Sequence, residues 1–544
     1  MQKTNSDRAI YFICLACVIV WTIIGAVWQS LDSRPPTWDS AYHTSSIIDC
    51  SRGLFKRFRQ VGISACIANT YPPLVYFVLS PFAQFSTASD FLTVVLNGIF
   101  GMILATAIFG ICRCLQMPSA AVGATVLSLA HPFIGIISRK LFLDFPLCVM
   151  AVLALYFVFL CLDNFSWKHC GLLGISLGLG MLTKPSFSGF LFLPVCYLVV
   201  SVMRRCSQRK EIANNLLKFL TSIVIACLTC GWWFVYNFEH LSKYFQYIRF
   251  RVKNIDHFPN VGSFSSISFY LSELVGRAGS IIPFVLFLIG LVSILRVKMK
   301  GHGLLIVFFI GCYGSLTITP IKDLRIALTL IPAMALITAL GLTQIKRVLW
   351  QKFFMVLLYI YCIFQIGFQY FLQQPRFLKN ANFQFAGLNW TIFSDVSIHF
   401  LPTYPKKENW YLGEIVKEVS NPLDDQKGTN GLKNVLVLVD QMYHNVNVFS
   451  YEARRLGVEV NFVTIAGEFN EEKRKSISRE QFDYVVYRPI TYEHWPSFIN
   501  DIKELHYSIL VSQDNYHVIK TFLLPDGETL YIYKHNESVL NGSS

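Results

Sequence analysis

Few ionisable side chains interrupt the apolar runs of this chain, and those that do recur at run boundaries. Asp39 stands in Pro35-Pro36-Thr37-Trp38-Asp39-Ser40-Ala41-Tyr42-His43, just after the first run. Asp144 closes Ser138-Arg139-Lys140-Leu141-Phe142-Leu143-Asp144, where one run ends and the next begins. Lys184 follows Met181-Leu182-Thr183 and precedes Pro185, and Lys322-Asp323-Leu324-Arg325 opens a later run. A charge in hydrocarbon costs roughly 2.5–3.5 kcal/mol at the centre of a span, so such residues are functional candidates by default. A carboxylate such as Asp39 can take the proton of an acceptor hydroxyl within hydrogen-bond reach. Lys184, Arg139 and Lys140 can stabilise a departing phosphate, the cationic help that a good leaving group needs in place of a strong acid. Asp144 can orient an acceptor or hold a cation. Tyr42, His43, Lys322 and Arg325 complete the binding candidates. Each has a structural alternative: Asp39 as a helix cap, Asp144 as the partner of Arg139, Lys184 snorkelling to an interface, Lys322 and Arg325 as interface anchors.

The elements that must hold these residues are membrane spans. Of the 544 residues, 53% are hydrophobic and 15% charged, far fewer charges than the quarter typical of soluble domains. The apolar residues cluster into about eleven runs, at 9–29, 91–113, 119–137, 145–163, 170–183, 186–203, 213–236, 278–296, 302–318, 325–344 and 351–373, most of them near the length that crosses a bilayer. The first run lacks a small-residue cleavage site after it and reads as a retained span. Tyr71–Phe85 is apolar but short, opens on Tyr71-Pro72-Pro73 and carries Pro81; it reads as a helix at the interface. Basic clusters at Arg204, Arg205, Arg209 and Lys210, at Arg296, Lys298 and Lys300, and at Lys346, Arg347 and Lys352 all fall on the N-terminal side, which is then cytoplasmic. The first loop (30–90), the loop 237–277 and everything after 373 lie outside. Asp39, Asp144, Lys184 and Arg325 thereby reach one outer membrane surface.

The net charge of +14 sits largely in short loops, without a basic domain or nucleic-acid motif, so nucleic acid is not an expected partner. Most of the 15 cysteines lie inside apolar runs; Cys50 and Cys66, both in the first loop, could form a disulfide in an oxidising space or stand as two free thiols. After a linker at 374–430, residues 431–544 read as a small α/β domain outside the membrane. Val435–Val439, Val458–Ile465 and Phe482–Tyr487 are its strands, Val446–Leu456 a helix, and Phe522–Tyr533 a hairpin turning at Pro525-Asp526-Gly527. No glycine-rich phosphate loop follows Val439.

In order and spacing, residues 9–345 resemble the GT-C superfamily of polyprenyl-phosphate-sugar-dependent glycosyltransferases, nearest to protein O-mannosyltransferases and the aminoarabinose transferase that modifies lipid A. The resemblance rests on Trp38-Asp39 in the first loop, Tyr71-Pro72-Pro73-Leu74-Val75-Tyr76, Ser138-Arg139 with Leu143-Asp144, Gly174, Gly178, Gly180 with Thr183-Lys184, and Lys322, Arg325 with Ile331-Pro332. It implies a polytopic α-helical protein with a GT-C-like fold of about eleven transmembrane helices and a C-terminal soluble α/β domain. It further implies an inverting hexosyl- or pentosyltransferase that moves a sugar from a polyprenyl-phosphate donor to a lipid, glycan or protein acceptor at the extracytoplasmic face. Asp39 is then catalytic or acceptor-positioning, Asp144 a second acidic site residue and Lys184 a contact of the donor phosphate. Many relatives have Asp-Glu where Asp39-Ser40 stands, so a divalent cation near Asp39 and Asp144 is a weaker expectation and the metal ligands stay open. The absence of a retrieval signal favours a bacterial inner membrane. The competing classes are a flippase or transporter of lipid-linked glycan, which calls for charges near the midplane and repeat symmetry, and a non-catalytic membrane assembly protein.

Overall fold

The computed structural model describes residues 5–55, 64–67, 71–206, 208–254, 259–276, 279–297, 301–371, 382–385, 388–392, 404–420, 432–465, 482–489, 503–504, 507 and 515–536. The helical part runs α1 (Asn5–Leu31), α2 (Trp38–Phe55), α3 (Ser64–Ile67), α4 (Leu74–Leu79), α5 (Ser89–Cys114), α6 (Ala120–Ala130), α7 (Pro132–Ile137), α8 (Asp144–Asp163) and α9 (Trp167–Met181). It continues with α10 (Phe187–Met203), α11 (Arg209–Tyr236), α12 (Phe238–Asn254), α13 (Phe264–Val275), α14 (Ile281–Val297), α15 (His302–Ile318), α16 (Leu330–Thr343) and α17 (Val348–Tyr370). Each apolar run read from the sequence lies on one of these helices or on two in succession. Six are long and apolar enough to cross a membrane: α1, α5, α8, α11, α17 and Leu324–Thr343, where a 3₁₀ turn leads into α16. Four shorter apolar helices, α6, α10, α14 and α15, pack among them. Lys298 and Lys300 of the second basic cluster lie outside the described residues.

Local chemistry explains where the runs break. The run at 119–137 is two helices because Pro132 excludes helical geometry from the residue before it; His131 is extended (φ −61°, ψ 130°) and its Nδ1 accepts the Phe133 amide at 3.3 Å. The Tyr71–Phe85 segment holds a six-residue helix and a 3₁₀ turn at Phe82–Gln84; six residues rise only about 9 Å, well short of a crossing. The α9–α11 packing is set by missing side chains: a Cβ on Gly178 would lie 2.4 Å from Thr229 Cβ, and one on Gly174 2.5 Å from the Ser222 carbonyl oxygen. That close approach fixes the end of α9, and so the turn carrying Lys184.

The helix α2 does stand where the alternative reading of Asp39 as a cap requires one, but it starts at Trp38 and takes Asp39 into its first turn. Its sequence, Trp38-Asp39-Ser40-Ala41-Tyr42-His43-Thr44-Ser45-Ser46 onward, lacks an apolar stripe, yet most of it is buried because both of its faces are covered. Ile47 and Cys50 join the core of the helical bundle, while Ala41 and Ile48 join the core beneath the C-terminal sheet. Its hydroxyls are satisfied locally: Thr44 donates to the Ser40 carbonyl at 2.7 Å, and Ser40 Oγ accepts the Leu141 amide at 3.1 Å. Cys50, in its C-terminal half, is disulfide-bonded to Cys66 of α3, which selects one of the two states left open by the sequence. The loop 237–277 carries α12 and α13.

Beyond α17 a hairpin pairs Asn382–Phe385 with Leu388–Thr391. A five-stranded sheet follows, with β-strands Lys433–Leu438, Val460–Val463, Tyr484–Tyr487, Tyr516–Leu523 and Thr529–His535 ordered so that the first is flanked by the second and third, in parallel, and the last two close the sheet antiparallel. Val435 and Val437 face one core and Leu436 and Leu438 another, the period of two expected of a central strand. The helix Val446–Leu456 packs on the first of these cores. So does Leu412–Val419, inside the segment read as a linker, through Leu412, Ile415, Val416 and Val419 at the i, i+3, i+4, i+7 spacing of one helical face.

The disulfide closes a separation of 16 residues, and a crosslink of that span stabilises by about 3 kcal/mol through the entropy it removes from the unfolded chain. Cys66→Ser is therefore expected to lower the thermal unfolding midpoint of the purified protein in detergent. An unchanged midpoint would show that α2 is held without it.

Candidate active site

Asp39 projects from the first turn of α2, and its Oδ2 accepts a hydrogen bond from Arg325 Nη1 at 2.6 Å. Arg325 is at the same time held by Asp323, with Nη2 to Oδ2 at 2.8 Å and Nε to both carboxylate oxygens at 3.1 and 3.2 Å. Asp323 also caps the 3₁₀ turn, its Oδ1 accepting the Arg325 amide at 2.9 Å. The guanidinium rests over the Phe142 ring at 5.3 Å, a contact from the stretch that ends in Asp144. Lys184, in the turn between α9 and α10, donates to Asp144 Oδ1 at 2.7 Å. The two pairs form one electrostatic cluster, since the Lys184 charge acts on Asp39 and the Asp144 charge on Arg325. Four regions far apart in sequence thus meet at one place.

The partners differ in accessibility, and this separates their roles. The Asp144 side chain is 2% exposed, Lys184 17%, Arg325 19% and Asp39 37%, so Asp39 is the group most open to a second molecule. Burial alone would raise the Asp39 carboxyl, but the Arg325 charge, helped by His43 and Lys184, outweighs it and pulls the pKa down to about 2. The pair's contribution to stability is accordingly full above the ordinary carboxylate range and is lost as pH falls towards about 2. His43 is buried one helical turn from Asp39, hydrogen-bonded through Nδ1 to the Tyr76 hydroxyl at 2.9 Å and edge-on to Tyr71 at 4.9 Å. Burial lowers its pKa to about 3 against the pull of Asp39, so it stands there as a neutral imidazole. Tyr42 packs against both His43 and Tyr71, with ring centroids 5.7 and 5.9 Å apart. Nothing in the pattern of the sequence singled out Tyr76 as the partner of His43.

Two of the cations expected at a phosphate, Arg139 and Lys140, and the binding candidate Lys322 are turned elsewhere. Arg139 is 3% exposed and lies between the rings of Trp28 and Tyr370, at 5.0 and 5.1 Å, with Nη2 donating to the Gln369 carbonyl. Lys140 is 1% exposed; its Nζ donates to the Arg34 carbonyl at 3.2 Å and lies 3.5 Å from Asp32, tying down the turn that leads into α2. Lys322 donates to the carbonyls of Leu316, Thr317 and Thr319 at 2.8–3.2 Å, closing the C-terminal end of α15. A buried cation needs compensation inside the protein, and these three find it in carbonyls, a carboxylate and π faces. The fold brings Asp39, Asp144, Lys184 and Arg325 together and holds Arg139, Lys140 and Lys322 on other partners.

The cation expected near Asp39 and Asp144 also fits poorly. Each carboxylate faces a protein cation, and among the described residues no group of three His, Cys, Asp or Glu side chains stands close enough to hold a metal ion.

The C-terminal unit reaches this site through α2. Trp38 Nε1 donates to Asp440 Oδ1 at 2.8 Å, one residue from Asp39. Farther along, Arg454 pairs with Asp49 at 2.7 Å while Arg52 donates to the Arg454 carbonyl at 2.6 Å.

Comparison with known proteins places the fold. A family model described as dolichyl-phosphate-mannose-protein mannosyltransferase matches residues 70–233, from the Tyr71-Pro72-Pro73 segment through α11. No curated protein matches the chain. Among solved structures, ArnT from Cupriavidus metallidurans bound to undecaprenyl phosphate is similar at a TM-score of 0.59 and 11% identity, covering 95% of this chain and 97% of that one. The Archaeoglobus fulgidus oligosaccharyltransferase AglB, in complex with an inhibitory peptide and a dolichol-phosphate, is similar at 0.54 and 12%, covering 95% and 74%. The mycobacterial arabinofuranosyltransferase AftD is similar at 0.51 and 11%, covering 95% and 41%. All three are GT-C glycosyltransferases, and the resemblance read from the sequence holds: the chain has their fold and is a multi-pass membrane protein.

Removing one partner of a buried ion pair strands the other charge and costs roughly 3–5 kcal/mol, whereas replacing both with apolar groups of similar volume is near neutral. Lys184→Met is expected to lower the thermal unfolding midpoint, and adding Asp144→Leu to recover most of the loss. A single variant as stable as the parent would mean that water already satisfies Asp144.

Proposed function

We propose that this protein is an inverting glycosyltransferase that moves a sugar from a polyprenyl-phosphate donor to an acceptor hydroxyl at the extracytoplasmic membrane surface. The carrying observation is the Asp39–Arg325 contact at 2.6 Å beside the Lys184–Asp144 pair: an accessible carboxylate and two cations in one cluster. Support for the donor class comes from the relatives, two of which are described with undecaprenyl phosphate or dolichol-phosphate bound. About eleven helices cross the membrane in this reading, with the N-terminus cytoplasmic and the first loop, α12, α13 and the C-terminal α/β domain outside. The Cys50–Cys66 disulfide supports that side for α2, because such bonds persist in oxidising compartments. The bacterial inner membrane is the location we favour.

The reaction follows from the charges. A carboxylate held at a pKa of about 2 by a guanidinium is always ionised but is a weak proton acceptor. A donor phosphate entering between Arg325 and Lys184 competes for the guanidinium, and as that contact loosens Asp39 becomes more basic. Asp39 then takes the proton of the acceptor hydroxyl while its oxygen bonds to the anomeric carbon from the face opposite the phosphate. The bond from that carbon to the phosphate oxygen breaks, and the electron pair leaves with the polyprenyl phosphate, whose charge Lys184 and Arg325 receive. Asp144 keeps Lys184 charged and placed, and Asp323 does the same for Arg325.

Two measurements follow. In purified protein supplied with polyprenyl-phosphate sugars, Asp39→Asn is expected to lower turnover by about 10²–10⁴-fold, the usual worth of a positioned general base, in protein that still unfolds cooperatively, at a lowered midpoint because Arg325 keeps only Asp323 as its carboxylate; full turnover removes Asp39 from the mechanism. The pH profile of kcat/KM, which reports the free enzyme, is expected to show no acid limb from Asp39 across the ordinary carboxylate range of roughly 3–5. In Arg325→Met the burial that raises the carboxyl is no longer opposed by its main partner, so an acid limb is expected to enter that range or above it. Superimposable profiles would contradict the pairing.

A further inference from the structure

Asp39 lies in the first turn of α2, the part of a helix least held by its own hydrogen bonds, because the first amides have no intrahelical carbonyl to meet. The Ala41 amide closes that turn on the Thr37 carbonyl at 2.8 Å. A carboxylate that must keep a 2.6 Å contact with Arg325 and also meet a substrate needs its turn fixed from outside, to within about 0.5 Å. The two residues flanking Asp39 provide the fixing, and each is held by a different body. Ser40 Oγ accepts the Leu141 amide of the helical bundle at 3.1 Å. Trp38 Nε1 donates to Asp440 Oδ1 of the C-terminal unit at 2.8 Å.

Asp440 is itself rigidly placed. It follows the fully buried Val439, which continues the strand Lys433–Leu438 at the middle of three parallel strands. Directly after it the chain turns: Gln441 and His444 exchange backbone hydrogen bonds at 2.8 and 3.2 Å, and the Gln441 carbonyl also accepts Asn445 Nδ2 at 2.8 Å. His444 is anchored in turn, its Nε2 donating to the Trp410 carbonyl at 3.1 Å. Among the described residues no cation pairs with the Asp440 carboxylate, and the Trp38 indole is its one side-chain hydrogen-bond donor. Burial raises this carboxyl against the pull of that bond. A half-buried carboxylate met by a single neutral donor is a poor source of stability. What the contact supplies is direction, since an N–H···O bond weakens steeply away from linearity and so orients the indole.

We infer that Asp440 is a positioning residue for the transfer reaction: through the Trp38 indole it fixes the first turn of α2, and with it the direction in which Asp39 meets the acceptor hydroxyl. The inference rests on the reading of Asp39 as the base. If Asp440 merely fastened the two bodies together, it would be interchangeable with the Asp49–Arg454 pair at 2.7 Å, which lies about 15 Å farther along α2.

The test follows release of polyprenyl phosphate from polyprenyl-phosphate-linked mannose, glucose and arabinose by the purified full-length protein in nanodiscs, with membrane lipid extract as the source of acceptor. Asp440→Leu is expected to lower kcat about tenfold or more, the worth of one hydrogen bond to a charged group, without raising the donor KM. Asp440→Asn keeps an acceptor oxygen for the indole and is expected to regain most of that loss. Trp38→Phe removes the donor, and adding Asp440→Leu to it is expected to cost nothing further, as for two residues acting through one contact. Arg454→Met, which loosens the other fastening, is expected to lower the unfolding midpoint with a smaller loss of kcat than Asp440→Leu. If Asp440→Leu does not fold, Trp38→Phe set against Arg454→Met makes the same comparison. Full turnover in Asp440→Leu, additive losses in the double variant, or an equal loss in Arg454→Met overturns the inference. Full turnover in Asp39→Asn would sink the assignment of the base beneath it instead.

Discussion

One guanidinium ties the site together. Arg325 stands at the mouth of a late span and reaches across 286 positions of sequence to Asp39 in the first loop. A cation at that depth cannot be left without carboxylates, and a carboxylate as buried as Asp144 cannot be left without its lysine. Those two demands force the start of α2, the start of α8, the α9–α10 turn and the 3₁₀ entry to α16 into one place. Because the demands are electrostatic, the same interactions that hold the architecture also keep Asp39 ionised; in the proposed reaction a donor phosphate would loosen that hold.

That arrangement works only if α2 is rigid, and its own sequence gives it little with which to be so. Small and polar residues fill it, and it earns its place by burial between two bodies. The bundle grips it through Ile47, Cys50 and the disulfide to Cys66; the C-terminal sheet and its helices grip it through Ala41, Ile48, the Trp38–Asp440 hydrogen bond and the Asp49–Arg454 pair. The C-terminal unit is therefore part of what positions Asp39, whatever else it binds.

Hydropathy made the helical bundle legible, since a run of apolar residues has few other fates, and the cost of charge near lipid drew attention to Asp39, Asp144, Lys184 and Arg325. The same reasoning could not name the partners of Arg139, Lys140 and Lys322, because cost near lipid says that a cation must be compensated, not by what. Carbonyls and aromatic faces are invisible as partners until the chain is folded. The extent of α2 was hidden for a related reason: with both faces covered, it needs no apolar stripe, and periodicity has nothing to register. The helix Leu412–Val419 carries a readable stripe inside a segment, 374–430, whose remaining residues read as a linker. The Cys50–Cys66 bond could not be decided from spacing, which leaves pairing and independence equally open.

The central claim is that a lipid phosphate and Asp39 compete for Arg325. The most direct measurement is a cryo-EM structure of the full chain in nanodiscs with a polyprenyl phosphate bound. The account requires phosphate oxygens within hydrogen-bond distance of Lys184 and Arg325, and the 2.6 Å contact between Arg325 and Asp39 opened. A phosphate seated away from both cations, with that contact intact, would contradict it.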